Sequence, residues 1–123
     1  MAKQFWIGEY YVDLTRNQIQ LPQRNEQLQP KVMAVLRVLA ENQGNVVSQD
    51  ELLDIVWGDV LVTPNTVQRC ITQLRKVLGD DGKNQNIIKT HAKQGYSLEI
   101  EVRWHRDGEQ RTHKYRYTKA LSA

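Results

Sequence analysis

Residues 63–78, Thr-Pro-Asn-Thr-Val-Gln-Arg-Cys-Ile-Thr-Gln-Leu-Arg-Lys-Val-Leu, constrain this chain more than any other stretch. A helix advances about 100° per residue, so apolar residues spaced three or four apart share one face. Val67, Cys70, Ile71, Leu74, Val77 and Leu78 do so here. Asn65, Arg69, Thr72 and Lys76 share the opposite side, flanked by Gln68 and Gln73, and the segment contains no Asp or Glu. Solvated helix faces usually mix both signs through i,i+4 pairs. A face of amides, hydroxyls and cations alone suits base edges and phosphates. Taken by itself, the pattern also fits an ordinary amphipathic surface helix. Thr63-Pro64 supplies the start, with Thr63 as N-cap and proline at the first helical position, where a missing N–H costs little.

The neighbouring segments narrow the choice. Ser48-Gln49-Asp50-Glu51 is a capping box, in which the serine hydroxyl and the glutamate carboxylate each accept a backbone N–H. Leu52, Leu53, Ile55, Val56 and Trp57 give the short helix that follows its apolar side, and Gly58 stops it. Further upstream, 30–43 reads as a helix with Val32, Met33, Val35, Leu36, Leu39 and Ala40 as its buried stripe and Gly44 as its stop. Three helices with short connections, the last one cationic, are the organisation of a helix-turn-helix module.

Downstream, 87–91 and 96–100 read as two strands joined by Ala92-Lys93-Gln94-Gly95, with Gly95 available for a positive φ and Lys93 and Gln94 at the tip. Such a hairpin is either a wing touching DNA or one that merely closes the fold. At the N-terminus, 5–8, 10–14, 18–21 and 26–28 are short β-like segments between turn residues. They imply a small antiparallel sheet of up to four strands, whose apolar side the Pro30 helix is best placed to cover.

At 123 residues the chain has room for one domain with a real core. Its single cysteine, Cys70, permits no internal disulfide and falls on the apolar side of its helix. No window reaches the roughly 20 apolar residues of a membrane span, and no signal peptide is evident. The net charge of +3 is unevenly spread: residues 1–62 carry 5 basic and 8 acidic side chains, 63–102 carry 6 and 4, and 103–123 carry 6 and 2. Local placement of cations says more about DNA binding than the total.

A family likeness rests on Phe5-Trp6-Ile7-Gly8, Leu28-Gln29-Pro30-Lys31, the run from Gly44 to Leu53, Val56-Trp57, Leu74 to Asp80, and Thr90 to Tyr96. In this order and spacing they resemble the winged-helix DNA-binding domain of the OmpR/PhoB class, and within it the CadC/ToxR-type transcriptional activators. The likeness covers roughly residues 4–104. It implies an α+β winged helix-turn-helix: an N-terminal four-stranded antiparallel sheet, three helices and a C-terminal β-hairpin wing. It also implies major-groove reading by the third helix, minor-groove contact by the wing, and activation through RNA polymerase. Asn65, Thr66, Arg69, Thr72 and Gln73 then stand where bases or nearby phosphates are touched, Arg75 and Lys76 at phosphates, and Lys93 and Gln94 on the wing; Gln68, flanking the same polar face, joins the candidates of the recognition helix. Departures are Cys70, where many relatives have histidine, Thr72 and Gln73, where they have arginines, and His91-Ala92-Lys93-Gln94 in place of Val-Pro-Lys-Arg. The operator therefore does not transfer.

These readings divide the chain into a domain over 1–102 and a basic tail over 103–123. Arg103, Arg106, Arg111, Lys114, Arg116 and Lys119, interleaved with aromatics, suit either the cytoplasmic flank of a membrane span beyond residue 123 or a basic arm adding sequence-independent DNA affinity. The expected protein is a cytoplasmic DNA-binding regulator whose partners are double-stranded DNA, RNA polymerase and a second copy on DNA. The Trp57–Val62 loop, with Asp59, Val60 and Leu61, faces polymerase in the family, although its apolar residues equally suit tucking onto the core. His91, His105 and His113 lack metal-ligand spacing, and nothing resembles a catalytic set, so no cofactor, metal or enzyme activity is expected. His91 is either pH-responsive near the wing or a half-buried hairpin histidine. Asp80-Asp81 reads as a solvated turn. Two rival functions remain: the effector domain of a soluble response regulator, which Met1 directly before the first strand disfavours, and a winged helix used for protein docking.

Overall fold

The computed structural model of the chain describes residues 3–80 and 85–105. Asp81, His113 and the tail cations Arg106, Arg111, Lys114, Arg116 and Lys119 lie outside the described residues.

Four N-terminal strands form between the turn residues, as expected: β1 (Gln4–Ile7), β2 (Tyr10–Asp13), β3 (Gln18–Gln20) and β4 (Asn25–Gln27). They are followed by α1 (Pro30–Glu41) and α2 (Gln49–Leu52), which continues as a π-helical turn over Leu53–Trp57, and then by α3 (Pro64–Leu78). The hairpin β5 (Ile88–His91) and β6 (Gly95–Leu98) comes next, and β7 (Val102–Trp104) closes the described chain. The sheet has five strands in the order β4-β3-β2-β1-β7, all antiparallel, one more than expected. The additional strand pairs Trp104 with Phe5 and Val102 with Ile7, which carries the sheet beyond the boundary expected at 102.

Phe5 and Ile7 of β1, Val12 of β2 and Ile19 of β3 have 0% exposure and share one apolar cluster with α1. One apolar face of the sheet and the period-3.6 buried stripe of α1 thus meet across one interface. On the other side of the sheet Trp6 and Tyr11 stack as a cross-strand pair with ring centroids 4.7 Å apart. α1 also packs on α3, on β6 and on the π turn, where Lys31 Nζ donates to the Val56 carbonyl over 2.8 Å. The sheet and α1 together form the platform that holds α3 and the hairpin.

Candidate nucleic-acid interface

The start of α2 is built by the expected capping box. Ser48 Oγ accepts from Glu51 N–H, and Glu51 Oε1 accepts from Ser48 N–H, both at 3.0 Å. The bond from Ser48 N–H, and after it the Ser48 hydroxyl, hold the Glu51 carboxyl below its ordinary pKa. The helix ends at Gly58, as expected. α3 begins with Pro64 at its first position, but the Thr63 hydroxyl makes no capping bond; the Thr63 carbonyl instead accepts from Thr66 N–H at 2.9 Å. Gln49 Nε2 donates to the Pro64 carbonyl at 2.9 Å and so fixes α2 against the start of α3.

α3 buries Val67, Cys70, Ile71, Leu74, Val77 and Leu78, and burial pushes the Cys70 thiol up in pKa. Asn65, Gln68, Arg69, Thr72, Gln73 and Lys76 are exposed and line one shallow depression along the helix; Thr66 is half-buried in the first turn. Thr72 Oγ1 donates its only proton to the Gln68 carbonyl at 3.0 Å, so toward solvent it offers an acceptor. Lys76 lies in the last turn, where the helix dipole favours a cation.

Arg75 behaves differently from the other cations. Its guanidinium donates to the Ile88 carbonyl from Nε at 3.2 Å and from Nη2 at 2.9 Å, and to Thr90 Oγ1 at 2.7 Å. It therefore ties α3 to β5 instead of standing as an open phosphate contact, and it acts on the wing's position. Asp80 is no solvated turn either. After Gly79 caps α3 in a left-handed conformation, the Asp80 carboxylate accepts from the backbone N–H groups of Asn86, Ile87 and Ile88 at 2.8, 3.1 and 2.9 Å. Sequence reasoning missed both anchors.

The wing tip is Ala92-Lys93-Gln94, all exposed, and the positive φ of the turn falls on Lys93 at 64°. Gly95 takes a positive φ as well, as expected, and has a second task. Its Cβ-free backbone, at φ +150°, lets β6 approach Val47, whose carbonyl would lie 2.0 Å from an added Cβ. Val47 and Tyr96 exchange backbone hydrogen bonds at 2.8 and 2.9 Å, which binds the hairpin to the chain entering α2. Between the wing tip, the start of α2 and α3 lies a polar cleft of about 330 Å³, lined in part by Ser48, Gln49, Gln68, Lys93 and Gln94. The exposed side of α3 and the wing tip thus belong to one continuous surface.

In the Trp57–Val62 loop the two readings divide. Trp57 is buried and Val62 packs on the core, whereas Val60 is 61% exposed and Leu61 98%. Ile55 and the carboxylates Asp54 and Asp59 are exposed nearby. Among the described residues no helix is long and apolar enough to cross a membrane.

A sheet platform, a helix-turn-helix and a hairpin anchored beside the third helix define a winged-helix domain. The family described as "Transcriptional regulatory protein, C terminal" matches residues 23–98, and the chain belongs to that family of transcription regulators. It is 36% identical to "Transcriptional activator CadC" of Escherichia coli (strain K12) over 104 residues, 84% of this chain and 20% of that protein. This chain therefore spans only a fifth of that relative's length. The solved DNA-binding domain of E. coli CadC superposes with a TM-score of 0.75 at 36% identity, covering 84% of this chain and 97% of that one. The Klebsiella pneumoniae RstA DNA-binding domain in complex with the RstA box gives a TM-score of 0.68 at 28% identity, covering 79% and 97%.

Proposed function

We propose that this domain binds double-stranded DNA in a sequence-specific way and serves a transcription activator, with α3 in the major groove and the β5–β6 wing on the adjoining minor groove or backbone. The observation that carries this reading is the exposed, carboxylate-free face of α3, continuous with the cationic wing tip. Asn65, Gln68, Arg69, Thr72 and Gln73 read base edges, and Thr66 and Lys76 meet phosphates. Lys93 and Gln94 contact the groove beside the wing. Arg75 contributes by holding the wing in reach. The solved RstA domain, titled as a complex with its box, and the activator name of CadC support the reading.

The likeness to a much longer activator also supports a larger arrangement. In it the domain runs to Trp104 and the basic residues after it form a juxtamembrane linker. The domain then works in the cytoplasm beneath a membrane anchor. Two copies bind together on DNA, and the Asp59-Val60-Leu61 loop contacts RNA polymerase.

A mobility-shift titration of the chain at two ionic strengths, on a duplex enriched from a random-sequence pool, tests the core claim. Binding should weaken steeply with salt. Arg69→Ala should cost about 1–3 kcal/mol on the enriched duplex and relax its specificity, whereas Lys93→Ala should weaken binding to all duplexes alike. Salt-independent retention would reject DNA recognition in favour of protein docking, whereas equal binding by both variants and the native chain would reject the assignment of Arg69 and Lys93.

A further inference from the structure

The base of the wing holds a polar chain that the contacts above do not use. His91 ends β5, half-buried, with Nε2 2.7 Å from Ser97 Oγ, and that hydroxyl donates to Glu99 Oε2 over 2.6 Å. Ser97 has 0% exposure, so its hydroxyl has no access to solvent. A serine hydroxyl has one proton to give. With that proton directed at the carboxylate, Oγ only accepts from the ring, and His91 Nε2 must carry a hydrogen. Nδ1 is then the single atom of the network that changes with pH: a lone pair in the neutral ring, an N–H in the cation. Both states keep the Ser97–Glu99 chain intact, and among the described residues Nδ1 has no hydrogen-bond partner.

His91 also lines the cleft between the wing tip and the start of α2, alongside Gln49, Asp50, Gln68, Lys93 and Gln94. A duplex held by both α3 and the wing passes its backbone over this cleft. We infer that His91 is a proton-dependent DNA contact: its imidazolium donates from Nδ1 to a backbone phosphate, so that binding takes up a proton at the wing. The inference rests on the DNA-binding reading given above.

The surrounding charges divide. Glu99, one hydroxyl away, and Asp50, across the cleft on α2, favour the cation. Lys93 at the tip, Lys89 on β5 and Arg75, bonded to the neighbouring Thr90, oppose it. Tyr96 adds no charge, because burial raises its phenol pKa. A phosphate tips this balance only in the complex. The ring's proton affinity is then higher bound than free, so the gain in affinity is present at low pH and lost as pH rises through the bound-state value.

The test compares the native chain with His91→Gln, whose amide N–H still reaches Ser97 but cannot become a cation. Fluorescence anisotropy on a 30-base-pair duplex enriched from a random pool is run from pH 8 to 6 at fixed salt. The native chain should gain about three- to fivefold more affinity than the variant, the range of an exposed ion pair. Its slope of log K against log salt should steepen by about 0.9 on acidification, one further phosphate neutralised, while the variant's stays unchanged. Glu99→Gln, an exposed substitution, should move the native gain to lower pH. Parallel pH profiles for native and His91→Gln overturn the inference and leave DNA binding standing. Failure of the native chain to bind any duplex at low salt overturns both.

Discussion

The molecule contains two β elements held in place by different forces. The five-stranded sheet is fixed by burial: Phe5, Ile7, Val12 and Ile19 are wholly enclosed, and many neighbours share the load. The wing buries Ile88, Tyr96 and Leu98, but its placement beside α3 depends on a few directional bonds from Arg75 and Asp80 and on one close backbone approach at Gly95. Burial is non-directional and roughly proportional to area, so a sheet residue contributes to global stability and little to aim. A hydrogen bond fixes an angle as well as a distance. The fold thus separates what keeps the domain folded from what aims its DNA-facing surface.

The largest effect that would break this contrast lies in the sheet. Phe5→Ala removes a fully buried ring stacked 4.7 Å from Trp104, and should cost about 3–5 kcal/mol in denaturant unfolding. The remaining folded fraction should bind DNA with native affinity. A loss below about 1 kcal/mol would mean that burial there is not what holds the sheet.

Asp80→Ala is the counterpart in the wing. It leaves the N–H groups of Asn86, Ile87 and Ile88 without their carboxylate, a loss of about 1–3 kcal/mol. Here DNA affinity should fall further than stability accounts for, because the wing root loses its anchor. If the binding loss only tracks the unfolded fraction, the wing is not aimed by these bonds.

A smaller test lies at the capping box, which supports α2 beneath the cleft. Ser48→Ala should cost about 1 kcal/mol near neutral pH. Glu51 has a folded-state pKa below its ordinary 4.5, so the stabilisation is full above that value and lost as pH falls through the folded-state one. The penalty of Glu51→Gln should therefore shrink in an acid unfolding series; an unchanged penalty would deny the carboxylate its share.

The same division of forces explains what could be read before the structure was known. Turn residues bracket the first four strands and burial imposes a period of 3.6 on helices, so those strands, α1, and both faces of α3 were legible to within a residue or two at their ends. β7 was not, since Val102-Arg103-Trp104 runs directly into a basic stretch that reads as a tail. The π turn was also invisible, because Leu52 to Trp57 carry the same apolar spacing in either helix type. Arg75 reads as one more cation on a cationic helix; its partners lie 13 and 15 residues away, and no local pattern marks them. Asp80 is bonded to residues six to eight positions on, across a loop whose path the sequence does not specify. The site's outward residues were legible because the buried ones defined the opposite face. Its positioning residues were not.

The loop between the π turn and α3 sets the lower limit of expected effects. Leu61 and Val60 are too exposed to contribute much to folding, and with Asp54 and Asp59 close by this surface repels phosphate instead of attracting it. Replacing both Val60 and Leu61 with serine should change unfolding free energy by no more than about 0.5 kcal/mol and leave duplex affinity untouched. Exposed apolar side chains that serve neither the core nor DNA suit a protein surface, so a promoter-reporter assay with the doubly substituted regulator should show reduced transcription at native occupancy of the operator. Native transcription from that variant would remove Val60 and Leu61 from any contact with polymerase.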